Sequence, residues 1–589
     1  MAEALISPGV FLRENDLSQI TQGPITVGSA LIGPTVLGRP NFPTLVTSYS
    51  EYKAKFGTTF ISGGTTYEYL TSQAAYNYFQ QGGTSLLVTR VASGSYTPAV
   101  SSFISSSNLT SACFELETLS VGVIMNNDYS SSASQATKGI LPSGSANNVR
   151  WQIAQADTAS GYFTLLIRQG NDYTANQSVL ETWSNISLDP NQNNYIEYVI
   201  GNQTYNILTD EAGQQYLQIT GSYPNASNYV RVKAVNQPTP NYLGPTGQAQ
   251  PEYTSSIPVN GSGSYNGSFN SATGPVFGCA GLAPLNMYEA IPTVSASSAA
   301  FNVQGVFPGN YDTAINLLAN QDAYVYNAIY APGLNNQNAG TQIGALLATA
   351  QNRGDAIAVV DMVGYNQSVT AVSTGAQSYD NSYGATYWPW VQVRSIETGR
   401  LNFVPASTIV PAVYEYNDKV SAEWFAPAGL NRGGLPTVIQ PERRLTVAQR
   451  NTLYTAKVNP IAIFPGQGTV IYGQKTLQSR ASALDRVNVR RLLIALKGYI
   501  GQIAQTLVFE QNTAVTRNKF LSQVNPYLEY VQQRQGLYAF RVVMDDSNNT
   551  PDVIDRNLLV GAIYLQPTRT AEFIQLDFNI LPTGVTFGQ

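Results

Sequence analysis

The 589-residue sequence contains no histidine. That excludes Ser-His-Asp and Cys-His catalysis, histidine metal sites and histidine pH switches together. Its two cysteines, Cys113 and Cys279, exclude a cysteine zinc site and a disulfide framework, leaving a single bridge between them open. Charged residues make up only 11% of the chain, against about 25% in an ordinary soluble protein. There is no Gly-Lys dipeptide and so no Walker A loop. No uninterrupted apolar run is long enough to span a bilayer; the best candidate is broken by Lys497. The opening MAEALISPGV lacks the basic and apolar regions of a secretory signal. The expectation is a product made and kept in a cytoplasm.

What remains is apolar, neutral and rich in tyrosine. Hydrophobic residues make up 43%, and 37 tyrosines outnumber 21 phenylalanines. A weakly charged, tyrosine-rich surface suits extensive contact with neighbours. Charge is divided unevenly along the chain. Residues 436–589 hold sixteen bases and ten acids, about +6, whereas residues 91–280 hold five bases and eleven acids, about -6. Such asymmetry points to a basic face with an acidic partner.

Texture also changes along the chain. Residues 66–79 read as a helix, followed by the strand TSLLVTRV. Much later AYVYNAIYAPG, the helical AGTQIGALLATAQN and the strand AIAVVDMV form a strand–helix–strand unit, the signature of a parallel sheet. Between them, residues 96–284 are dominated by Ser, Asn, Gly, Thr, Tyr and Gln, with short alternating stretches such as YFTLLIRQ. The fold class is therefore α+β and multidomain. A mixed α/β middle domain, residues 23–95 and 285–438, is interrupted by an all-β insertion, residues 96–284. A C-terminal α+β domain follows at 439–569, with extended arms at 1–22 and 570–589.

In the C-terminal region a helix is expected from near Asp485. Val489, Leu492, Leu493, Leu496, Tyr499, Ile500, Ile503 and Leu507 share one arc of it. Arg486, Arg490 and Lys497 form a basic stripe beside that arc. A solvated helix face is the plain explanation of such a stripe. Nucleic-acid binding calls for more bases and stacking aromatics. A second helix, ending at Gly536, should be kinked or divided by Pro526. Three strands are expected after it: LYAFRVVM, NLLVGAIYL and EFIQLDFNIL.

Other motifs favour ordinary roles. GQGTVIYG at 466–473 has the wrong spacing for a dinucleotide site. Asp361 closes an expected parallel strand without a partner base and reads as structural. Arg353–Asp355 spells RGD but precedes a buried strand, so it reads as a turn. The Asn-x-Ser triplets at Asn185 and Asn225 follow from composition. Catalytic, cofactor and metal residues are all expected to be none. The two chain ends, SPGVFLREN and EFIQLDFNILPTG, are short extended stretches. Each either pairs within its own domain or is donated to a neighbour's sheet.

Several segments, in order, resemble the contractile tail sheath family of long-tailed bacteriophages, related to contractile bacteriocin and type VI secretion sheaths. They include SPGVFLRENDLS, SALIGPTVLGRPNFPTLVTSYSEYKAKFG, YGATYWPWVQV, LNFVPASTIVPAVYEYND, WFAPAGLNRGG, RVNVRRLLIALKGYIGQIAQTLVFEQN and TAEFIQLDFNI. Gln511 and Thr570 stand where the family pattern suggests proline. The resemblance implies a non-enzymatic subunit without cofactors. It stacks with copies of itself as hexameric rings around a tail tube, with baseplate and tail terminator proteins as further partners. No direct nucleic-acid contact and no membrane insertion are implied. It is assembled in the host cytoplasm and resides in the virion tail. Residues 96–284 become the outer domain and 439–569 the inner one, with Arg486, Arg490 and Lys497 facing the tube. Val10, Phe11 and Leu12 at one end, and Ile574, Leu576, Phe578 and Ile580 at the other, become inter-subunit arms. The alternative is a virion surface protein that binds host glycans through the β insertion.

Overall fold

The computed structural model describes residues 28–62, 65–92, 98–101, 104–106, 112–121, 148–173, 175–266 and 306–572. Its body is an eight-stranded sheet. The order across it is Thr44–Val46, Leu86–Arg90, Ser29–Gly33, Ala328–Asn335, Ile357–Asp361, Gly384–Trp388, Asn459–Phe464 and Gly468–Ile471. The inner strands run parallel, and the two edge strands are antiparallel to their neighbours. Parallel strands covered on both faces need apolar residues on both. LLVTR and IAVVD are accordingly buried at every position.

The expected strand–helix–strand unit lies in the middle of this sheet, as Ala328–Asn335, the helix Asn336–Arg353 and Ile357–Asp361. The Asn335 side chain accepts from the backbone N–H groups of Gln337 and Asn338, which starts the helix. Gly354, at φ +73°, ends it in the left-handed region. Ile343, Leu346 and Leu347 of this helix pack on one face of the sheet beside Ile329 and Val360. The helices Leu70–Gln80 and Val410–Val420 cover the other face through Ala74, Tyr78, Val413 and Tyr414. The helix expected over 66–79 starts later, because Thr65–Glu68 pairs as a strand with Thr59–Ser62.

The RGD tripeptide is turned inward. Arg353 is buried, bonds Asp355 at 2.9 and 2.8 Å and lies 4.1 Å from the Tyr326 ring. Asp361 is fully buried and accepts from the Ser407 N–H and hydroxyl at 3.2 and 2.5 Å. It tethers the strand end to the 406–408 turn, and burial pushes its carboxyl up to about 7.

Between Leu86–Arg90 and Ala328–Asn335 the chain builds a second sheet of seven strands, every pair antiparallel. Its strands alternate between core and surface, as in Phe114–Val121. Trp151, Phe163, Leu165 and Ile196 form its core. Cys113 lies in that core, and burial pushes its thiol up to about 12; Cys279 lies outside the described residues. Arg150 and Arg168 are buried around Asp172, with Arg168 bidentate at 2.8 Å. At the junction with the body, Arg90 donates to the carbonyls of Gly38 and Val121.

The boundary expected between residues 438 and 439 falls inside a strand. Val438–Pro441 pairs with Val391–Arg394, and Asn459–Ile471 completes the main sheet. Composition shifts at this point, but strand pairing does not follow composition. A separate C-terminal core begins instead within the helix Val487–Gln505. It joins Leu492, Leu496, Leu507, Phe520, Val524, Leu528 and Leu537. The next helix, Ala514–Gln533, runs through Pro526 as one element rather than dividing. Behind it stands a two-stranded antiparallel sheet, Leu537–Val543 with Ala562–Pro567. Of the third expected strand only Glu572 lies among the described residues, and Val10, Phe11, Leu12, Ile574, Leu576, Phe578 and Ile580 lie outside them.

Candidate functional site

The helix Val487–Gln505 serves two cores. Val487 and Ile494 pack into the body beneath the main sheet, while Leu492 and Leu496 belong to the C-terminal core. The apolar arc read from the sequence accounts for the second contact. Its cationic residues decide how the helix is held.

Arg486, the residue before the first turn, forks onto Glu572 at 2.7 and 3.0 Å and pairs with Asp485 at 3.0 Å. Burial works against its charge, but Glu572 more than offsets this and raises its pKa. Arg490 is only 4% exposed, which corrects the expectation of an outward stripe. Its guanidinium donates to the Ser382 carbonyl and hydroxyl and lies 3.9 Å from the Tyr383 ring. Burial lowers its pKa. Lys497 is exposed and donates to the Tyr383 hydroxyl at 3.2 Å. The helical spacing does put the three on one side. Arg490 and Lys497 meet the turn around Ser382 and Tyr383 in the body, and Arg486 meets Glu572, so all three have partners in their own chain.

Sequence reasoning missed Arg491. It is buried, forks onto Asp418 at 2.9 and 2.5 Å and lies 4.6 Å from the Tyr414 ring. The signal was present. On a helical wheel Arg491 falls beside Val487 and Ile494, opposite the apolar arc, and an arginine flanked by apolar residues calls for an acid beside it. Around this pair, burial first and then Asp418 push the carboxyls of Glu415 and Glu423 up to about 7. Among the described residues, no group of three or more His, Cys, Asp or Glu is placed to hold a metal ion. No helix among them is long and apolar enough to cross a membrane.

These contacts define a multidomain α+β protein whose basic residues knit its own units together. Family models locate it more closely. Residues 310–477 match the phage tail sheath protein central domain, and residues 479–580 match the phage tail sheath C-terminal domain. The chain is 42% identical over 190 residues to the tail sheath protein of Vibrio phage KVP40, and 41% over 187 residues to that of Enterobacteria phage T4. Each match covers 32% of this chain and 28% of the relative, so less than a third of each relative's length is spanned. The crystal structure of the sheath tail protein from Listeria innocua aligns over 88% of this chain and 89% of its own. It does so at 9% identity and a TM-score of 0.49, too slight a likeness to bear on the argument. Over residues 310–580 the chain is thus similar to phage tail sheath proteins.

Proposed function

We propose that the chain is a non-enzymatic structural subunit of a contractile bacteriophage tail sheath, resident in the virion tail. One observation carries this reading: the central and C-terminal sheath domains match in order, from residue 310 to residue 580. Copies stack as hexameric rings around the tail tube, bounded by the baseplate and the tail terminator. Shortening of the stack drives the tube through the host envelope. A heterologous contact that does not close on itself generates such a helical array.

Within this reading the seven-stranded insertion forms the outer domain, and the unit from Val487 onward faces the tube. Lys497, exposed on the shared helix, is the one member of the basic stripe left to meet an acidic tube surface. Residues 1–22 and the chain beyond Glu572 act as arms that pair with neighbours' sheets. The departure point moves from 570 to beyond 572, because Thr570 and Glu572 both accept from Gln474 of their own chain. Negative-stain microscopy of the purified protein tests the proposal. Hollow cylinders with six-fold end views are expected. Discrete trimers would overturn it in favour of a glycan-binding surface protein.

A further inference from the structure

The C-terminal unit is a loop of chain whose two ends meet. It leaves the body at Arg486 through the helix Val487–Gln505, and it returns after Pro567 along residues 568–572. The Thr568 N–H still bonds the Gly536 carbonyl at the end of the small sheet. Arg569, Thr570 and Ala571 are then exposed. The return ends on Glu572, whose carboxylate takes four hydrogen bonds from three side chains. Arg486 donates through Nε and Nη2 at 2.7 and 3.0 Å. The Tyr454 hydroxyl donates at 2.6 Å, and Gln474 Nε2 at 3.1 Å. Tyr454 sits on the helix Val447–Thr455, and Gln474 follows the edge strand Gly468–Ile471, so two of the three donors belong to the body.

We propose that Glu572 is a clasp: by joining Arg486, Tyr454 and Gln474 it closes the neck of the C-terminal unit and fixes where the chain beyond it leaves the body. A fork of two charge-assisted bonds defines direction as well as distance, and the tyrosine and glutamine fix the carboxylate plane from the other side. With the clasp made, the unit is held at both ends. With it open, the unit is still held by its helix and by Trp424, whose indole N–H donates to the Arg534 carbonyl, but residues 568–572 keep only the Gln474–Thr570 bond to the body. Glu572 is thus a positioning residue. Its consequence for assembly rests on the sheath reading, whereas the clasp itself does not.

Arg569 provides the readout, because it is an exposed tryptic site three residues from the anchor. Brief trypsin treatment of the full unassembled chain, followed by intact mass, measures loss of residues 570–589. The wild type should be cut slowly. E572A and R486A should be cut about tenfold faster, at the rate set by local opening, with unchanged circular dichroism. E572Q should fall between. The charge swap R486E with E572R should restore slow cleavage and, with it, the cylinders that E572A fails to form. Equal cleavage of E572A and wild type would overturn the clasp. Fast cleavage with normal cylinders would overturn its role in assembly. Absence of cylinders from the wild type itself would sink the sheath reading and leave the cleavage comparison standing.

Discussion

The main sheet and the small C-terminal sheet solve the same problem to different degrees. The eight-stranded sheet is buried on both faces, and an antiparallel strand closes each edge of its parallel core. The C-terminal sheet has two strands among the described residues. It packs one face, with Phe540, Val542, Ile563 and Leu565, against the C-terminal core. Its other face presents Tyr538 and Tyr564 to solvent, at 64% and 62% exposure. A two-stranded ribbon is marginal alone and gains from added strands or a packed helix. Among the described residues the main sheet is thus closed at both edges, while the small sheet depends on the helix Ala514–Gln533 packed against it.

The largest effect should come from the pair that joins the two regions. Arg491→Ala leaves Asp418, which is partly exposed, without its cation next to Glu415 and Glu423, so the loss should fall at the low end of the range for buried pairs. Removing one partner of a buried pair costs about 3–5 kcal/mol. Denaturant unfolding should show that loss. Replacing both partners, Arg491→Met with Asp418→Asn, should recover most of it. No recovery would mean that the stacking on Tyr414 matters more than the charge. Next in size is a core truncation confined to one region. Phe520→Ala should cost about 3–5 kcal/mol at the upper end and less where the site collapses. Amide exchange should accelerate at 537–543 and 562–567 and stay unchanged at 328–335. Equal acceleration in both places would show that the two regions open as one.

The body was the more legible of the two. The apolar strands and the helical stretch AGTQIGALLATAQN between them mark its strand–helix–strand unit, because those features are local. The return of Asn459–Ile471 to the main sheet was not legible. It pairs with Gly384–Trp388 across some seventy residues, and no local pattern encodes that partner. The helix 487–505 shows the same division. Its apolar arc was readable from spacing, but the burial of Arg490 depends on a turn at Ser382 that spacing cannot see. Glu572 carried no signal beyond its identity, since its donors come from three distant segments.

The body should also answer to pH. Burial raises the Asp361 carboxyl from its ordinary 3.8 to about 7, with the Ser407 hydrogen bonds pulling the other way. Between those values the folded chain keeps a proton that the unfolded chain gives up. Stability is thus fully present below about pH 4 and is lost as pH rises through about 7. Glu415 and Glu423 act with the same sign, from 4.5 to about 7. Asp361→Asn should melt higher than the wild type at pH 8 and level with it at pH 4. A difference of the same size at both values would assign the effect to the Ser407 hydrogen bonds and not to the proton.

The smallest expected change lies in the C-terminal unit and is a gain. After the helix Val487–Gln505, Leu507 is buried and its carbonyl accepts from the Glu510 N–H. Phe509, between them, has φ +71° and a fully exposed side chain. Glycine is the usual residue where a helix ends in this conformation. A Cβ there costs about 1–2 kcal/mol, and the greater freedom of glycine in the unfolded chain returns about 0.5–1 kcal/mol of that. Phe509→Gly should therefore stabilise the chain by about 0.5–1 kcal/mol. Phe509→Ala keeps the Cβ and should not. If alanine stabilises as much as glycine, the exposed ring and not the backbone is the source of the cost. The gain should appear as slower amide exchange around 507–513 and leave the main sheet untouched, because the body ends its own helix at Gly354 without that strain.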